Sequence, residues 1–194
     1  VKKEDIITLP HPSLRTRSQK VGLITPEIKQ IIEEMESATL DWEASRSHEV
    51  GVALAAVQVN LMYRIVVIRH DFDNKDDRTF AVFINPQITK YEGTIEEDFE
   101  GCLSIRDIYG KVPRYTKVRV KALDVEGKEV RVTAEGFLAR IFQHEIDHTN
   151  GVVFIDHIKD QTKAFFRLSD SGHLDRLDYE ADIASNSDLW SEAA

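Results

Sequence analysis

A single cysteine, Cys102, is all the thiol this 194-residue chain carries, so no disulfide can form within it. A reducing compartment follows, and a cytoplasmic protein is the expectation. No window approaches the roughly 20 consecutive apolar residues of a membrane-spanning helix. The opening "VKKEDIITLP" sets acids directly after its lysines and lacks the apolar run of a signal peptide. Positive charge is in the minority: 25 Lys and Arg stand against 34 Asp and Glu, a net charge of −9. Direct binding to nucleic acid or to an anionic membrane through bulk charge is therefore not expected. What remains is an ordinary globular composition, 42% hydrophobic and 30% charged, in a chain long enough to bury its own core.

Periodicity gives the outline of the elements. Residues 8 to 24 hold prolines and no clear period, and read as extended or looped. Thr25 suits an N-cap with Pro26 at the first helical position, and Ile28, Ile31, Ile32, Met35, Ala38 and Trp42 then recur at helical spacing to about residue 44. "RIVVI" (64 to 68) and "FAVFI" (80 to 84) suit strands joined by a polar loop. "KVRVKALDVEGKEVRVTA" alternates on both sides of "EGK", which predicts a half-buried hairpin with Val118, Val120 and Ala122 opposite Val130 and Val132. Helical spacing begins at Ala134. Strands with segregated helices and no βαβ alternation predict an α+β fold, antiparallel strands packed around a central helix. One domain over 1 to 168 is expected, followed by an acidic tail from 169 to 194, partly helical, with acids running from Asp170 to Glu192 against Arg176 alone.

The predicted helix carries "QHEIDHTNG", residues 143 to 151, with His144 and His148 four apart and Glu145 between them. In H-E-x-x-H two imidazoles share one helix face and can ligate one metal, with the glutamate beside the open position. Phe137 and Ile141 continue the same stripe, either as core or as pocket wall. A catalytic site normally takes a third protein ligand. The extended motif H-E-x-x-H-x-x-G-x-x-H would place a third histidine where Phe154 stands. Downstream carboxylates, Asp156, Asp160, Asp170, Asp175, Asp178 and Glu180, are one source. Cys102 in "EGCLS" is the other. A lone cysteine usually reads as a small buried hydrophobe, but beside an incomplete histidine pair its thiolate becomes the better ligand. His11, His48, His70, His157 and His173 lack metal spacing and take no role.

Three separated stretches, "GVALAAVQ" (51 to 58), "EGCLS" (100 to 104) and "QHEIDH" (143 to 148), resemble the three motifs of peptide deformylases, in the family's order. The resemblance spans most of residues 6 to 158. It implies that Cys102 is the third ligand beside His144 and His148. It implies Glu145 as general base, and the Gln58 side chain with the Leu103 backbone N–H as oxyanion donors. Val52, Ala53, Gly101, Phe137 and Ile141 would lie along the substrate. It further implies hydrolysis of the formyl group from formyl-methionyl nascent peptides, with formate released. One divalent metal is implied, Fe(II) in the cell and zinc, nickel or cobalt in preparations. Transient proximity to the ribosome is expected, without the basic helix that would dock on its RNA.

Some positions depart from the pattern. Ala53 replaces the second glycine of the first motif, adding a methyl and disfavouring positive φ where the substrate backbone passes. Arg106 and Thr149 stand where the family commonly has Pro and Leu. Asp147, between the two histidines, suits a hydrogen-bond acceptor for a ligand imidazole, and Glu100 with Arg114 suits a supporting ion pair. Two alternative functions stand beside the amidase: a metallopeptidase, and a silent relative that binds metal or formylated peptides without turnover.

Overall fold

A computed structural model describes residues 2–46 and 49–191; His48 and Glu192, named above, lie outside them. Among the described residues, seven strands make one antiparallel sheet: β1 (Ala53–Ala55), β2 (Ile65–Arg69), β3 (Phe80–Cys102), β4 (Ile105–Leu123), β5 (Glu129–Glu135), β6 (Phe165–Leu168) and β7 (Leu174–Arg176). The order is β1-β2-β3-β4-β6-β7, with β5 on another stretch of β4. The helices are α1 (Pro26–Ala44), α2 (Gly136–Thr149) and the short α3 (Ser187–Trp190). The architecture is α+β, as the absence of βαβ alternation predicts.

Burial explains the placement. Thr25 caps α1 through its Oγ1, which accepts from the Ile28 N–H at 3.4 Å. Ile28, Ile32, Met35 and Ala38 then bury against Leu54, Ile65, Val67 and Ile84. Their alternates along β1 and β2, Ala53, Ala55, Val66 and Ile68, join Phe142 and Ile146 of α2 in a second cluster. β2 is therefore covered on both sides, which is why "IVVI" shows no polar alternation. The β4–β5 hairpin has the predicted pairs, Val120 opposite Val132 and Ala122 opposite Val130. Gly127, at φ +79°, makes its turn. β5 runs to Glu135, so α2 starts two residues later than the spacing predicts, after Ala134 has paired with Val118.

The largest difference lies in β3 and β4. The sequence marks only their apolar ends, yet β3 extends over 23 residues and β4 over 19, paired through several bulges. Long stretches of both are polar and exposed, and the ladder of backbone hydrogen bonds holds them where no hydrophobic signal does. Only Leu103 and Ser104 separate the two strands, so Cys102 is the last residue of β3, at the tip of the hairpin. In the stretch read as looped, Pro12–Arg15 forms one 3-10 turn, capped by His11 Nδ1 accepting from the Ser13 N–H. Past residue 168 the chain returns as β7, makes a short π-helical stretch at Tyr179–Ala184 and then α3. Phe165, Leu177, Ile183 and Leu189 are buried with Val112, Phe154 and Ile158 in a third cluster. No described helix is long and apolar enough to cross a membrane.

Candidate metal centre

The β3–β4 turn and helix α2 meet at three donor atoms. His144 and His148 lie one helical turn apart, and Cys102 reaches them from the hairpin tip, all three ligand atoms within 4.8 Å of one another. Cys102 Sγ is 3.3 Å from His148 Nε2. Bonds of about 2.0–2.3 Å to a tetrahedral ion set its donors roughly 3.3–3.8 Å apart, so this cluster fits a divalent metal with little adjustment. One thiolate with two imidazoles is also a donor set that zinc and ferrous iron accept. Among the described residues no downstream carboxylate joins the cluster. Asp156 is engaged elsewhere, by Arg15 Nη1 at 2.6 Å.

The donors are prepared by their neighbours. Glu100 Oε2 lies 2.8 Å from His144 Nδ1, which fixes the ring proton there and turns Nε2 toward the cluster. Arg114 grips the same carboxylate with Nε at 2.8 Å and Nη2 at 3.1 Å, and Arg140 Nη1 donates to it at 2.9 Å. Burial would push the Glu100 carboxyl up, but the hydrogen bonds from His144 and Arg114 outweigh it and hold the group well below the ordinary range. Burial would likewise raise the Cys102 thiol, yet the neighbouring His148 and His144 bring it down to about 5.

Glu145 is buried, and its Oε2 has no hydrogen-bond partner among the described residues. Burial pushes its carboxyl up against the pull of His144 and His148. Gln58 is held by the opposite device. Its Oε1 accepts from the Ala55 N–H at 2.9 Å, which turns Nε2 toward Ser104 Oγ (3.2 Å) and Cys102 Sγ (3.6 Å).

These groups open on a cavity of about 520 Å³, within the usual range for a small-ligand site. Its lining includes Cys102, His144, Glu145, Gln58 and Leu103, together with Val52, Ala53, Gly101, Phe137 and Ile141. Of the stripe left open between core and wall, Ile141 belongs to both and Phe137 stands half exposed at the mouth, against Phe72. Ala53 occupies extended β1, paired with Ile68, so no positive φ is required of it and only its methyl affects the cavity. Gly101 does need to be glycine: a Cβ there would come 2.6 Å from the Tyr109 ring.

Asp147 accepts from neither His144 nor His148, against the expectation. It sits 2.6 Å from Arg114 Nη1 and 2.7 Å from His157 Nε2, and Glu100 takes the role expected of it. Arg140 and His157 have no signal in the sequence, and Ser104 has only its place in "EGCLS". Arg140 looks like an exposed helix charge until the fold buries it beneath β3, donating to Val112 O and Glu96 O. Tyr109 and Glu49 also line the cavity, hydrogen-bonded to each other through the phenol.

A sequence model of the polypeptide deformylase family matches residues 3–164. A peptide deformylase of Thermomicrobium roseum is 39% identical over 160 residues, covering 81% of this chain and 86% of that protein. One from Halothermothrix orenii is 44% identical over 147 residues, covering 76% and 88%. Among solved structures, a peptide deformylase from Synechococcus elongatus in complex with actinonin superposes with a TM-score of 0.71 at 35% identity, covering 80% of each chain.

Proposed function

This chain belongs to the polypeptide deformylase family, and we propose that it hydrolyses the formamide of N-formyl-methionyl peptides with Cys102, His144 and His148 holding one divalent metal. The observation that carries this reading is the convergence of those three donor atoms within 4.8 Å of one another, with Cys102, His144 and the buried Glu145, whose Oε2 has no hydrogen-bond partner among the described residues, all lining one cavity. When bound, the metal supplies Lewis acidity and lowers the pKa of water toward about 7. Glu145 takes the proton of the attacking water and returns it to the amine nitrogen as the C–N bond of the formamide breaks. Gln58 Nε2, fixed by the Ala55 hydrogen bond to its oxygen, donates to the formyl oxygen as it gains negative charge, with the Leu103 backbone N–H as second donor. Glu100, Arg114 and Arg140 act through His144, holding its ring in one orientation. Phe137, Ile141 and Val52 supply the apolar surface for the methionine side chain, and Ala53 and Gly101 flank the peptide backbone. The products are formate and a free α-amine.

Fe(II) is the metal of this reading, on the strength of the family resemblance; the donor chemistry also accepts zinc, nickel or cobalt. Formylated nascent chains in the cytoplasm are its substrates, met near the ribosome without a basic RNA anchor, in keeping with the net charge of −9. The test is formate release from a formyl-Met tripeptide by protein loaded anaerobically with Fe(II) or nickel, against an N-acetyl peptide. Metal-dependent release is expected from the formyl peptide alone. Folded, metal-loaded protein that releases no formate would instead favour a silent binder.

A further inference from the structure

Strands β6 and β7 lie beyond the family match, which ends at residue 164, yet Leu168, Gly172 and Leu174 help to wall the same cavity as Cys102, His144 and Glu145. We propose that the β6–β7 hairpin forms an outer subsite that receives the second and third residues of the peptide, those after methionine, and favours large apolar side chains there. The inference rests on the deformylase reading and adds to it a preference at the residues after methionine.

Distance along β3 places the subsite. Phe99 lies three residues before Cys102, a span of at most about 10 Å at the rise of a strand, since the register shifts between Glu100 and Cys102. An extended peptide whose formyl group sits at the Cys102 end advances by the same rise, so its second or third residue comes level with Phe99. There the Phe99 ring lines the cavity and packs edge to face on Phe166 of β6, centroids 5.0 Å apart at 84°. Such a pair fixes both rings and presents one apolar edge.

The hairpin itself is fastened. Phe166 pairs with Tyr109 and Phe165 with Gly110 on β4, and Leu177 N–H donates to Phe165 O at 3.0 Å. The Arg176 guanidinium covers Phe166 at 5.7 Å. Leu168 and Leu174 are cross-strand partners, and neither belongs to the buried cluster of Phe165 and Leu177. Both are half-buried and border the cavity. Two leucines opposed on a wall of an open cavity, outside the core, leave apolar surface that a ligand side chain can cover.

The experiment compares the wild-type metalloenzyme with the Leu168→Ser/Leu174→Ser variant on formyl-Met amide, formyl-Met-Gly-Gly and formyl-Met-Leu-Phe. The expected result is a loss of about tenfold in kcat/KM on formyl-Met-Leu-Phe, the scale of a lost hydrophobic contact. The loss should be confined to that peptide. Equal losses on all three, or none on any, would overturn the subsite. Should the double variant fold poorly, Leu168→Ala and Leu174→Ala are expected to give a smaller loss with the same peptide dependence. Dissociation constants for the deformylated peptides Met-Leu-Phe and Met amide give the same comparison without turnover. An enzyme that hydrolyses none of the substrates yet binds Met-Leu-Phe more weakly in the variant would sink the deformylase reading and keep the subsite.

Discussion

Glu100 Oε2 and His144 Nδ1, 2.8 Å apart, tie the strand that carries the cysteine to the helix that carries the histidines. Glu100 stands two residues before Cys102, so one buried carboxylate sets the spacing of the donors from both sides. Two arginines neutralise it in turn, and Arg114 passes the connection on to Asp147 and the half-exposed His157.

Glu100→Ala would remove the acceptor of the ligand imidazole and leave Arg114 and Arg140 buried without their carboxylate. Breaking a buried pair in this way costs about 3–5 kcal/mol, read as a lower urea midpoint. Metal affinity should fall about 10–100-fold by competition with a chelator, the usual effect of losing a hydrogen-bonded support behind a histidine ligand. A variant with unchanged metal affinity would show that His144 keeps its orientation without Glu100.

Glu145→Gln removes the base and preserves shape. Its Oε2 makes no hydrogen bond among the described residues, so the fold loses little. Turnover should drop by about 10²–10⁴-fold while metal content, measured by elemental analysis, stays at one ion per chain. Retained turnover would move the proton transfer to another group.

Gln58→Ala tests the oxyanion donor. One donor of this kind contributes about 10²–10³ in kcat. The expected signature is a fall in kcat with metal content unchanged, because Gln58 touches the sulfur only through a 3.6 Å contact. A fall in metal content as large as the fall in rate would make Gln58 a support for Cys102 instead.

Much of the fold is legible in the sequence, and the reason differs by element. Burial on one or both faces wrote α1, β2 and the β4–β5 hairpin into the apolar pattern. His144, Glu145 and His148 stand out because two histidines four apart on one helix have the spacing that a shared metal requires, and the fold does put both imidazoles in one cluster with Cys102. Cys102 was legible as a residue, but its approach depends on the two-residue link between β3 and β4, and the exposed polar lengths of those strands give no periodic signal. Arg140 and His157 were invisible because a charged residue has no pattern that says it will be buried or paired. Leu168 and Leu174, separated by the polar run Ser169–His173, stand out only once β6 pairs with β4 beside the cavity.

Ala53→Gly restores the glycine of the first motif. Because Ala53 already sits in extended β1, the change should act through the methyl that borders the cavity and not through backbone strain. A lower KM with kcat nearly unchanged is expected, at a stability cost of about 0.5–1 kcal/mol for glycine in a strand. A change in kcat alone would place the methyl against the transition state.

Ile183→Ala asks whether the acidic C-terminal segment is part of the fold. Ile183 is fully buried in the π-helical stretch Tyr179–Ala184, packed with Phe165, Phe154 and Leu189. The Trp190 indole N–H donates to its carbonyl at 3.0 Å, which closes the segment on itself, and Arg15 Nη2 donates to Leu189 O at 2.7 Å, which ties it to the N-terminal part of the chain. An isoleucine truncated in a packed core costs about 2–5 kcal/mol, whereas a substitution on a surface appendage stays within about 0.5 kcal/mol. Urea unfolding separates the two. The larger value is expected, and since β6 is anchored by the same cluster, the hairpin beside the cavity should loosen with it. Faster amide hydrogen exchange at Phe166 and Leu168 in the variant would mark that loosening. Unchanged exchange together with a loss below about 0.5 kcal/mol would detach the segment from the core that supports the site.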